Sequence, residues 1–419
     1  MRREANSTEA VSPEMSSWIS SAFGYASIPG VFLLAYLTTR IGRKRTFNLV
    51  SINMLVVATS YYLSSTPMHI IITEILQGIP HACSVSTSII ALVEYTSPEN
   101  RGLMLTIKSA TIFWGIWAAN TVGTLTNWRY ICVLSYMNAA YALSSFFWPE
   151  SPLWLASKGR FEECKESHRW LKGRGDAAEK ELEKIIRTQM ENVKKPWSFR
   201  NMFLFLTLRE FYKPIILSSI MMVMYHLSGK HVFTMYAIDI LKKITNSETA
   251  AYNGMLILDG VSVFCMYIGC VLSKFLRRRT LLFVFGPLAA LFLFLMSLYL
   301  YLVKLSIVNE NKYVSIMLLI GFSTAIGLGP IILATSLYGE LIPANYKGQA
   351  VTIISLIFVL IQSTVLKTSP YGFVAIGTHG MFMFYGISVT VCLCVLYKYL
   401  PETKDKTLQE IEDHFKRKE

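Results

Sequence analysis

The chain has 419 residues, of which 53% are hydrophobic and 16% are charged, and its mean hydropathy is +0.42. This composition is too apolar for a water-soluble globular protein, and the chain is too long for one membrane-spanning unit. The net charge of +13 does not indicate nucleic-acid binding, because Lys and Arg are concentrated in a few short connections and in residues 156–200. We therefore expect an all-α, multi-pass membrane protein without a nucleic-acid partner.

Eleven apolar runs of about twenty residues predict membrane-spanning helices. In chain order they cover residues 16–38, 46–64, 68–92, 102–126, 129–148, 213–240, 250–272, 280–303, 313–338, 348–368 and 374–399. Lys and Arg follow the odd-numbered runs up to the ninth, so the positive-inside rule places these connections and the C-terminus in the cytoplasm. The polar N-terminus, with a glycosylation-type sequon at Asn6, would then lie outside. It would have to cross the membrane unaided, so we expect one further helix upstream.

Charge patterning predicts how the chain is divided. Residues 156–200 alternate acidic and basic side chains with helical spacing, which predicts short amphipathic helices on the cytoplasmic face. The expected parts are an extracellular segment, a first bundle, a cytoplasmic helical linker, a second bundle and a cytoplasmic tail, at residues 1–15, 16–155, 156–212, 213–400 and 401–419.

One set of charged motifs occurs twice, once at the ends of the apolar runs in each half. In both halves an acidic residue, Glu94 or Glu340, precedes a basic-Gly pair by seven positions. Such a repeat is typical of carriers, whose two bundles need contacts that close one side in one state and release it in the other. Anchoring of topology would explain the bases but not the repeated glutamates. We predict gating roles, with Arg40 and Arg278 in the same two networks, for Arg43, Glu94, Arg101, Glu150, Arg277, Glu340, Lys347 and Glu402.

These motifs resemble those of a known family. Gly42-Arg43-Lys44, Glu94…Arg101-Gly102, Pro149-Glu150-Ser151-Pro152 and Pro401-Glu402-Thr403-Lys404 are similar to the motifs of the sugar porters of the major facilitator superfamily, and the resemblance extends from residue 16 onward. Arg169-Trp-Leu-Lys-Gly is most similar to the facilitated trehalose transporters of insects. The resemblance implies a major facilitator fold of two pseudo-symmetric six-helix bundles with a substrate site at mid-membrane. It also matches the first predicted helix here to the family's second.

The departures from the family pattern fall in that implied substrate site. Ser109 stands where the porters have Gln, and Tyr225-His226-Leu-Ser-Gly-Lys230-His231 stands where they have Gln-Gln-Leu-Ser-Gly-Ile-Asn. Amides suit sugars because each offers donors and an acceptor to neighbouring hydroxyls. The loss of these amides therefore weakens the expectation of a sugar substrate.

The replacements suggest a chemistry of their own. His226, Lys230 and His231 form a basic group within a predicted membrane helix, where ionisable side chains are usually functional. Glu74 and His81 share one face of the preceding bundle's third predicted run, so Glu74 could balance the histidines, and Asp259 is a further candidate partner. Such a group could couple transport to protons or bind an anion. Alternatively, Lys230 snorkels outward and the histidines sit near the extracellular mouth. The predicted substrate-binding residues are Ser109, Tyr225, His226, His231, Glu74 and His81.

Three functions stay open at this point. The first is a carrier of a small polar solute, with a trehalose-like or hexose-like sugar implied by the resemblance. The others are a carrier of a non-sugar solute, anionic or proton-coupled, and a transport-dead sensor that keeps the fold. The sequence shows no nucleophile–base pair, metal-ligand spacing or phosphate-binding loop, so no enzyme, metal or cofactor is expected. The expected partners are the solute, the lipid bilayer and, in the coupled case, protons. A monomer in the cell membrane is the family expectation.

Overall fold

The computed structural model describes residues 12–192, 208–245, 247–341, 347–404, 406 and 414–415. These residues form two short 3-10 helices, Trp128–Tyr130 and Ser144–Phe147, and α-helices numbered here in chain order. The first half of the chain contains α1 (Pro13–Arg40), α2 (Arg43–Leu63), α3 (Pro67–Val85), α4 (Thr87–Tyr95), α5 (Pro98–Leu125), α6 (Ile131–Leu143), α7 (Pro152–Ser157), α8 (Phe161–Lys172) and α9 (Asp176–Asn192). The second contains α10 (Arg209–Leu227), α11 (Lys230–Met235), α12 (Ala237–Thr245), α13 (Glu248–Phe275), α14 (Arg278–Lys304), α15 (Lys312–Leu328), α16 (Pro330–Leu341), α17 (Lys347–Ala375) and α18 (Gly377–Tyr399).

Ten helical segments in the described ranges are long and apolar enough to cross a membrane, and they match ten of the eleven predicted runs. Their outward faces carry large apolar side chains such as Phe32, Phe264 and Phe275, each more than half exposed. A continuous apolar exterior of this kind requires a bilayer rather than water. The multi-pass membrane architecture is therefore confirmed.

The remaining predicted run, residues 213–240, is the sixth in chain order and is divided among α10, α11 and α12. Gly229 adopts a left-handed conformation with φ of 76°, and a Cβ there would lie 2.5 Å from the Tyr385 ring. Only glycine tolerates both this left-handed backbone conformation and the close approach of the Tyr385 ring. The chain turns at Gly229, so the run is not one continuous helix.

Two other predicted runs contain breaks within the membrane. Ser86 separates α3 from α4, and Gly329 separates α15 from α16. The second break lies at the Gly-x-Gly-Pro sequence of residues 327–330, where Pro330 begins a new helix because proline cannot continue the preceding one. Breaks at this depth free backbone groups, which must find partners inside the protein.

The two halves of the chain meet along a few long helices. α1 packs along α17, and α5 packs against α13 and α16. The large hydrophobic core runs through the second half and includes α4 and α5 residues of the first. The predicted boundaries of the two bundles stay a prediction, and most of the predicted N-terminal segment and tail lies outside the described residues.

The linker forms the predicted short helices, α7 to α9. They pack through a small core that includes Trp154, Leu155, Cys164 and Leu182. Arg169 donates two hydrogen bonds to Glu179, at 2.8 and 3.2 Å, and these lower the pKa of the Glu179 carboxyl. Burial lowers the pKa of His168, and the neighbouring Lys172 adds to the effect.

Candidate functional site

The first charge cluster consists of Arg43, Glu94, Glu150 and Ser151. The Arg43 guanidinium donates to both carboxylate oxygens of Glu94, at 3.0 and 2.9 Å, and Ser151 Oγ donates to Glu94 at 2.6 Å. The Glu94 side chain is only 6% exposed. Two parallel bonds to one carboxylate are the strongest geometry available to an arginine, so this pair fixes α4 against the start of α2.

Glu150 acts on the beginning of α2 rather than on a side chain. Its carboxylate accepts backbone N–H bonds from Arg43 at 2.7 Å and from Lys44 at 3.2 Å. These are the unpaired donors of the helix N-terminus, where a negative charge is favourable. Gly42 precedes them with φ of 99°, and a Cβ on Gly42 would collide with the Glu150 carboxylate.

The second charge cluster, Arg278, Glu340, Glu402 and Thr403, repeats the first except for one bond, because Arg278 Nε has no partner among the described residues whereas Arg43 Nε donates to Glu94. Arg278 Nη2 lies 3.4 Å from Glu340 Oε1, and Thr403 Oγ1 donates to Glu340 at 2.8 Å. Glu402 accepts the backbone N–H groups of Arg278 and Arg279, at 3.0 and 3.1 Å. In both clusters the arginine also donates to the carbonyl five residues earlier, of Thr38 or Ser273. The end of the molecule that carries both clusters is called the basic end below.

One predicted gating residue does not join the second cluster, and the side chain of another is not among those that the structure describes. Arg277 is exposed, whereas Arg278 is buried and holds the position equivalent to Arg43. The sequence analysis placed both Arg277 and Arg278 in this network, because three consecutive arginines offer no sequence signal for the one that turns inward. Lys347 is the first residue of α17, and its side chain lies outside the described part of the structure.

Arg101 and Gly102 connect the first half to the second charge cluster. A Cβ on Gly102 would lie 2.6 Å from Glu340 Oε1 and 2.7 Å from Arg278 Nη2. Arg101 is within electrostatic range of Glu340 and of Glu181 in the linker. Each charge cluster thus lies within its own half, and the contact between the halves at the basic end is made by the start of α5.

A polar group joins the halves at the centre. This histidine cluster consists of His81 from α3, His226 from α10, His231 from α11 and Gln362 from α17. Gln362 bridges the halves, because its Oε1 lies 2.9 Å from His81 Nε2 and its Nε2 lies 3.0 Å from His231 Nε2. Phe23 and Phe358 pack on the rings, with centroids 4.9 Å from His81 and 4.5 Å from His226.

The bonds of Gln362 determine the proton positions on two rings. In the amide orientation of this structure, the oxygen accepts from His81 Nε2 and the N–H₂ donates to His231 Nε2, which places the His231 proton on Nδ1. Within the described residues, His231 Nδ1 and His226 Nε2 are buried without a hydrogen-bond partner. Each buried donor or acceptor left without a partner lowers the stability of the fold by about 1–3 kcal/mol. The cluster can therefore accept a polar ligand that satisfies these two nitrogens.

The remaining predicted substrate-binding residues separate into two places. Ser109 in α5 contacts the hydroxyl of Thr335 in α16, again across the halves, and Tyr225 stacks edge-on with His226 at 4.8 Å. Glu74 lies elsewhere, within range of Tyr61 of α2, whereas His81 interacts with His231 and Lys108. Glu74 does not balance the histidines, because seven residues of helix place it about 10 Å along α3 from His81.

The sequence analysis did not identify three polar residues of the interior: Gln362, Lys108 and Asn120. Lys108 Nζ donates at 2.6 Å to the carbonyl of Ser84, just before the break at Ser86. Asn120 donates to Asp259 across the halves at 2.8 Å. All three lie inside predicted apolar runs. A polar side chain within an apolar run indicates a functional or interior position, so the sequence could have identified them.

The end opposite the basic end is also closed across the halves. Lys367 of α17 donates to Ser17 Oγ of α1 at 2.9 Å, and its ammonium lies 3.8 Å from the centroid of the Trp18 ring. Nearby, the Ser20 and Tyr236 hydroxyls are 2.5 Å apart. The halves are therefore in contact on both sides of the histidine cluster along the long axis of the helices.

Replacing Lys367 with methionine should loosen this opposite end. The variant keeps the apolar stem but loses a cation–π contact worth about 0.5–1 kcal/mol, which corresponds to a roughly two- to fivefold shift toward opening. The measurement is the alkylation rate of a cysteine at Ser363, which packs on Gly24, by a membrane-impermeant maleimide. The same chain without that cysteine supplies the background.

Lys312→Met is the matched control, because Lys312 lies over the ring of its neighbour Tyr313 and is exposed. It should leave the alkylation rate unchanged. Equal rates in Lys367→Met and in the parent would show that the Lys367 contact does not hold this end closed.

Sequence comparison identifies several relatives. The chain is 27% identical over 414 residues to the facilitated trehalose transporter Tret1 of Drosophila erecta, covering 96% of this chain and 47% of that protein. It is 25% identical over 421 residues to Tret1 of Apis mellifera ligustica, covering 99% of this chain and 82% of that one. The chain therefore spans about half the length of the first relative and about four fifths of the second.

Solved structures agree on the fold. The proton:xylose symporter XylE bound to 6-bromo-6-deoxy-D-glucose superposes with a TM-score of 0.82 at 18% identity, covering 97% of this chain and 92% of that one. The inward-open form of XylE from E. coli gives a TM-score of 0.72 at 16% identity, covering 98% and 91%. The predicted major facilitator fold is confirmed. The sequence profile of the family described as "Sugar (and other) transporter" matches residues 2–415, so the chain belongs to that family.

Proposed function

We propose that this chain transports a sugar across the cell membrane by alternating access between its two halves. The observation that carries the proposal is the histidine cluster, which joins the halves at the centre while separate contacts close both ends. A carrier passes through such an enclosed arrangement between its two open states. The relatives named for trehalose transport support a trehalose-like or hexose-like solute.

The solute would bind among His81, Ser109, Tyr225, His226 and His231, with Gln362 added to the predicted set. Imidazole, hydroxyl and amide groups together offer both donors and acceptors, as sugar hydroxyls require. The two unpartnered nitrogens, His226 Nε2 and His231 Nδ1, are the groups that gain most from a ligand. Glu74 is not included, because it lies toward α2.

The charge clusters would govern the basic end. Arg43, Glu94 and Glu150 hold the first half together, and Arg278, Glu340 and Glu402 do the same for the second. Arg101 and Gly102 then rest on the second cluster only while the basic end is closed. Lys347 is proposed for the same function on its sequence position alone.

The orientation follows from charge. Arg40, Arg101, Arg277 and the linker lie at the basic end, so the positive-inside rule makes that end cytoplasmic, together with the C-terminal tail. We propose two transmembrane bundles within residues 16–155 and 213–400, joined by the linker, and a monomer in the cell membrane.

Uptake of radiolabelled solutes tests the proposal. The purified chain in liposomes is given trehalose, glucose and a panel of small organic anions, and protein-free liposomes serve as the control. Saturable sugar uptake is expected. Uptake of anions alone would replace the sugar with an anionic solute. If correctly folded protein takes up none of these solutes, the alternative of a transport-dead sensor would be favoured.

Replacing His231 with asparagine should shift selectivity toward sugars. The change restores the amide that the family carries at this position and keeps a side chain able to bond Gln362. We expect the ratio of trehalose uptake to anion uptake to rise by about fivefold, since one additional hydrogen bond contributes about 1 kcal/mol. His379→Asn is the control, because His379 lies near the opposite end, beside Tyr301. Identical solute profiles for His231→Asn and the parent would place residue 231 outside the solute site.

A further inference from the structure

A second ionisable group lies within the membrane region of the second half, apart from the histidine cluster. Lys230 is 3% exposed and Asp259 is 6% exposed. The Lys230 ammonium donates to Ser262 Oγ at 2.6 Å and to Ser323 Oγ at 3.4 Å. Both charged residues line one cavity of about 20 Å³, together with Thr234. This volume is sufficient for about one water molecule and far too small for a sugar.

These two residues compensate one another electrically. A single charge inside a membrane protein is costly, and such residues pair with each other when they are retained. The charged and titratable groups that face Lys230 are Asp259 and Cys265 of α13 and the adjacent His231. Lys230 and Asn120 are the groups that face Asp259. The alternative in which Lys230 snorkels outward does not hold in this structure, because its ammonium is held inside by two serines of α13 and α15.

Asn120 links this pair to the movement of the halves. Its amide N–H₂ donates to Asp259 Oδ2 at 2.8 Å from α5, in the other half of the chain. The close approach of α5 depends on Gly260, where a Cβ would lie 3.4 Å from Trp117 Nε1. Asn120 is five residues from the end of α5, so the bond lies nearer the opposite end than the basic end. Separation of α5 from α13 at that end must break it.

We propose that Asp259, which lines the same cavity as Lys230 and is bonded to Asn120 in the closed arrangement, binds the proton that this carrier moves with its solute. When the opposite end opens, Asp259 loses the Asn120 bond and its carboxylate takes a proton from water, giving a carboxylic acid and releasing H₂O from H₃O⁺. When the opposite end closes and the basic end opens, the Asn120 donor and the Lys230 ammonium again favour the carboxylate, and the proton passes to water that enters from the basic end. No oxidation state changes. The inference rests on the proposed transport function and assigns its coupling ion and the residue that carries it.

Two measurements on the purified full chain test this assignment. The first is accumulation of labelled trehalose in liposomes under an imposed pH gradient, compared with trehalose counterflow without a gradient. The second needs no solute: infrared difference spectra between mildly alkaline and mildly acidic buffers report the carbonyl band of a protonated carboxylic acid. Both are made on the parent chain, Asp259→Asn, Lys230→Met and the control Glu248→Gln. Glu248 begins the same helix and is exposed.

The proposal expects gradient-driven accumulation and the carboxylic acid band in the parent and in Glu248→Gln. Asp259→Asn should lose both, and Lys230→Met should displace the pH at which the band develops. Thermal melting of each variant identifies any that fail to fold. An unchanged band in folded Asp259→Asn overturns the assignment, as does counterflow in the parent without any response to the gradient. If the parent shows the band but no trehalose counterflow, the sugar proposal fails while the proton site stands.

Discussion

Replacing Glu340 with glutamine should lower the rate of solute uptake by about tenfold while the protein still reaches the membrane. Glu340 is 13% exposed, and its partner Arg278 is 9% exposed. Breaking a buried ion pair costs about 3–5 kcal/mol when one charge is left uncompensated. Glutamine can still accept from Thr403 and Arg278, so we expect a smaller loss of about 1.4 kcal/mol, which is one factor of ten.

The position of Glu340 explains why transport rather than folding should suffer most. Its carboxylate touches the start of α5 as well as its own cluster, so its charge stabilises the closed basic end selectively. A group that interacts differently with two states shifts their populations by that difference. Glu94, by contrast, has its described partners within the first half, so Glu94→Gln should reduce stability and expression before it reduces the uptake of the surviving protein.

Uptake per molecule at the cell surface is the measurement, with surface protein quantified by biotinylation. Glu163→Gln is the matched control, because Glu163 forms a comparable pair with Arg160 in the linker but both side chains are about half exposed. Exposed pairs contribute about 0–1 kcal/mol. If Glu340→Gln takes up solute at the parent's rate, the gating role is contradicted, and the repeated charges serve membrane topology alone.

The sequence was sufficient for the features that depend on local pattern. The apolar runs located ten membrane helices, and the repeated motifs located both charge clusters, because hydropathy and short-range spacing are readable without a structure. The Gly329-Pro330 pair, where one helix ends and the next begins, is a local sequence signal of the same kind. The linker helices followed from charges spaced along the surface of a helix.

Features that depend on the packing of distant helices could not be predicted from the sequence. Whether Arg277 or Arg278 turns inward is decided by Glu402, which lies more than a hundred residues away and caps the start of α14. The partner of His81 is likewise distant, since Gln362 is 281 residues later. Glu74 has a charge suited to the histidines, yet the rise of α3 carries it out of their reach. Side-chain chemistry suggested the candidates, but only the packing decides which of them meet.

The packing also reveals an asymmetry between the two repeats that the sequence conceals. Arg101-Gly102 and Lys347-Gly348 occupy equivalent positions, seven residues after Glu94 and Glu340. A Cβ at Gly102 would press on Glu340 and Arg278, whereas a Cβ at Gly348 would meet none of the described residues within 4 Å. The start of α5 therefore contacts the other half at a position where the start of α17 leaves space.

This asymmetry predicts opposite outcomes for two identical substitutions. Gly102→Ala should open the basic end, because the new methyl group lies 2.6 Å from Glu340 Oε1 and 2.7 Å from Arg278 Nη2. These side chains can move only by weakening their own buried pair, so the strain is relieved most easily when α5 separates from the second half. We expect a shift of about 1–2 kcal/mol toward the open form, or about five- to thirtyfold. Gly348→Ala should be neutral or slightly stabilising, since alanine favours a helix more than glycine does.

The measurement is the reactivity of a cysteine placed at Leu105, which packs on Gly339 across the basic end, toward a water-soluble maleimide in purified protein. Gly102→Ala should raise the alkylation rate, and Gly348→Ala should leave it at the parent's value. Equal rates in both variants would mean that the start of α5 does not hold the basic end closed. Increased rates in both would mean that the two repeats contribute equally, so that the asymmetry of this structure does not govern opening.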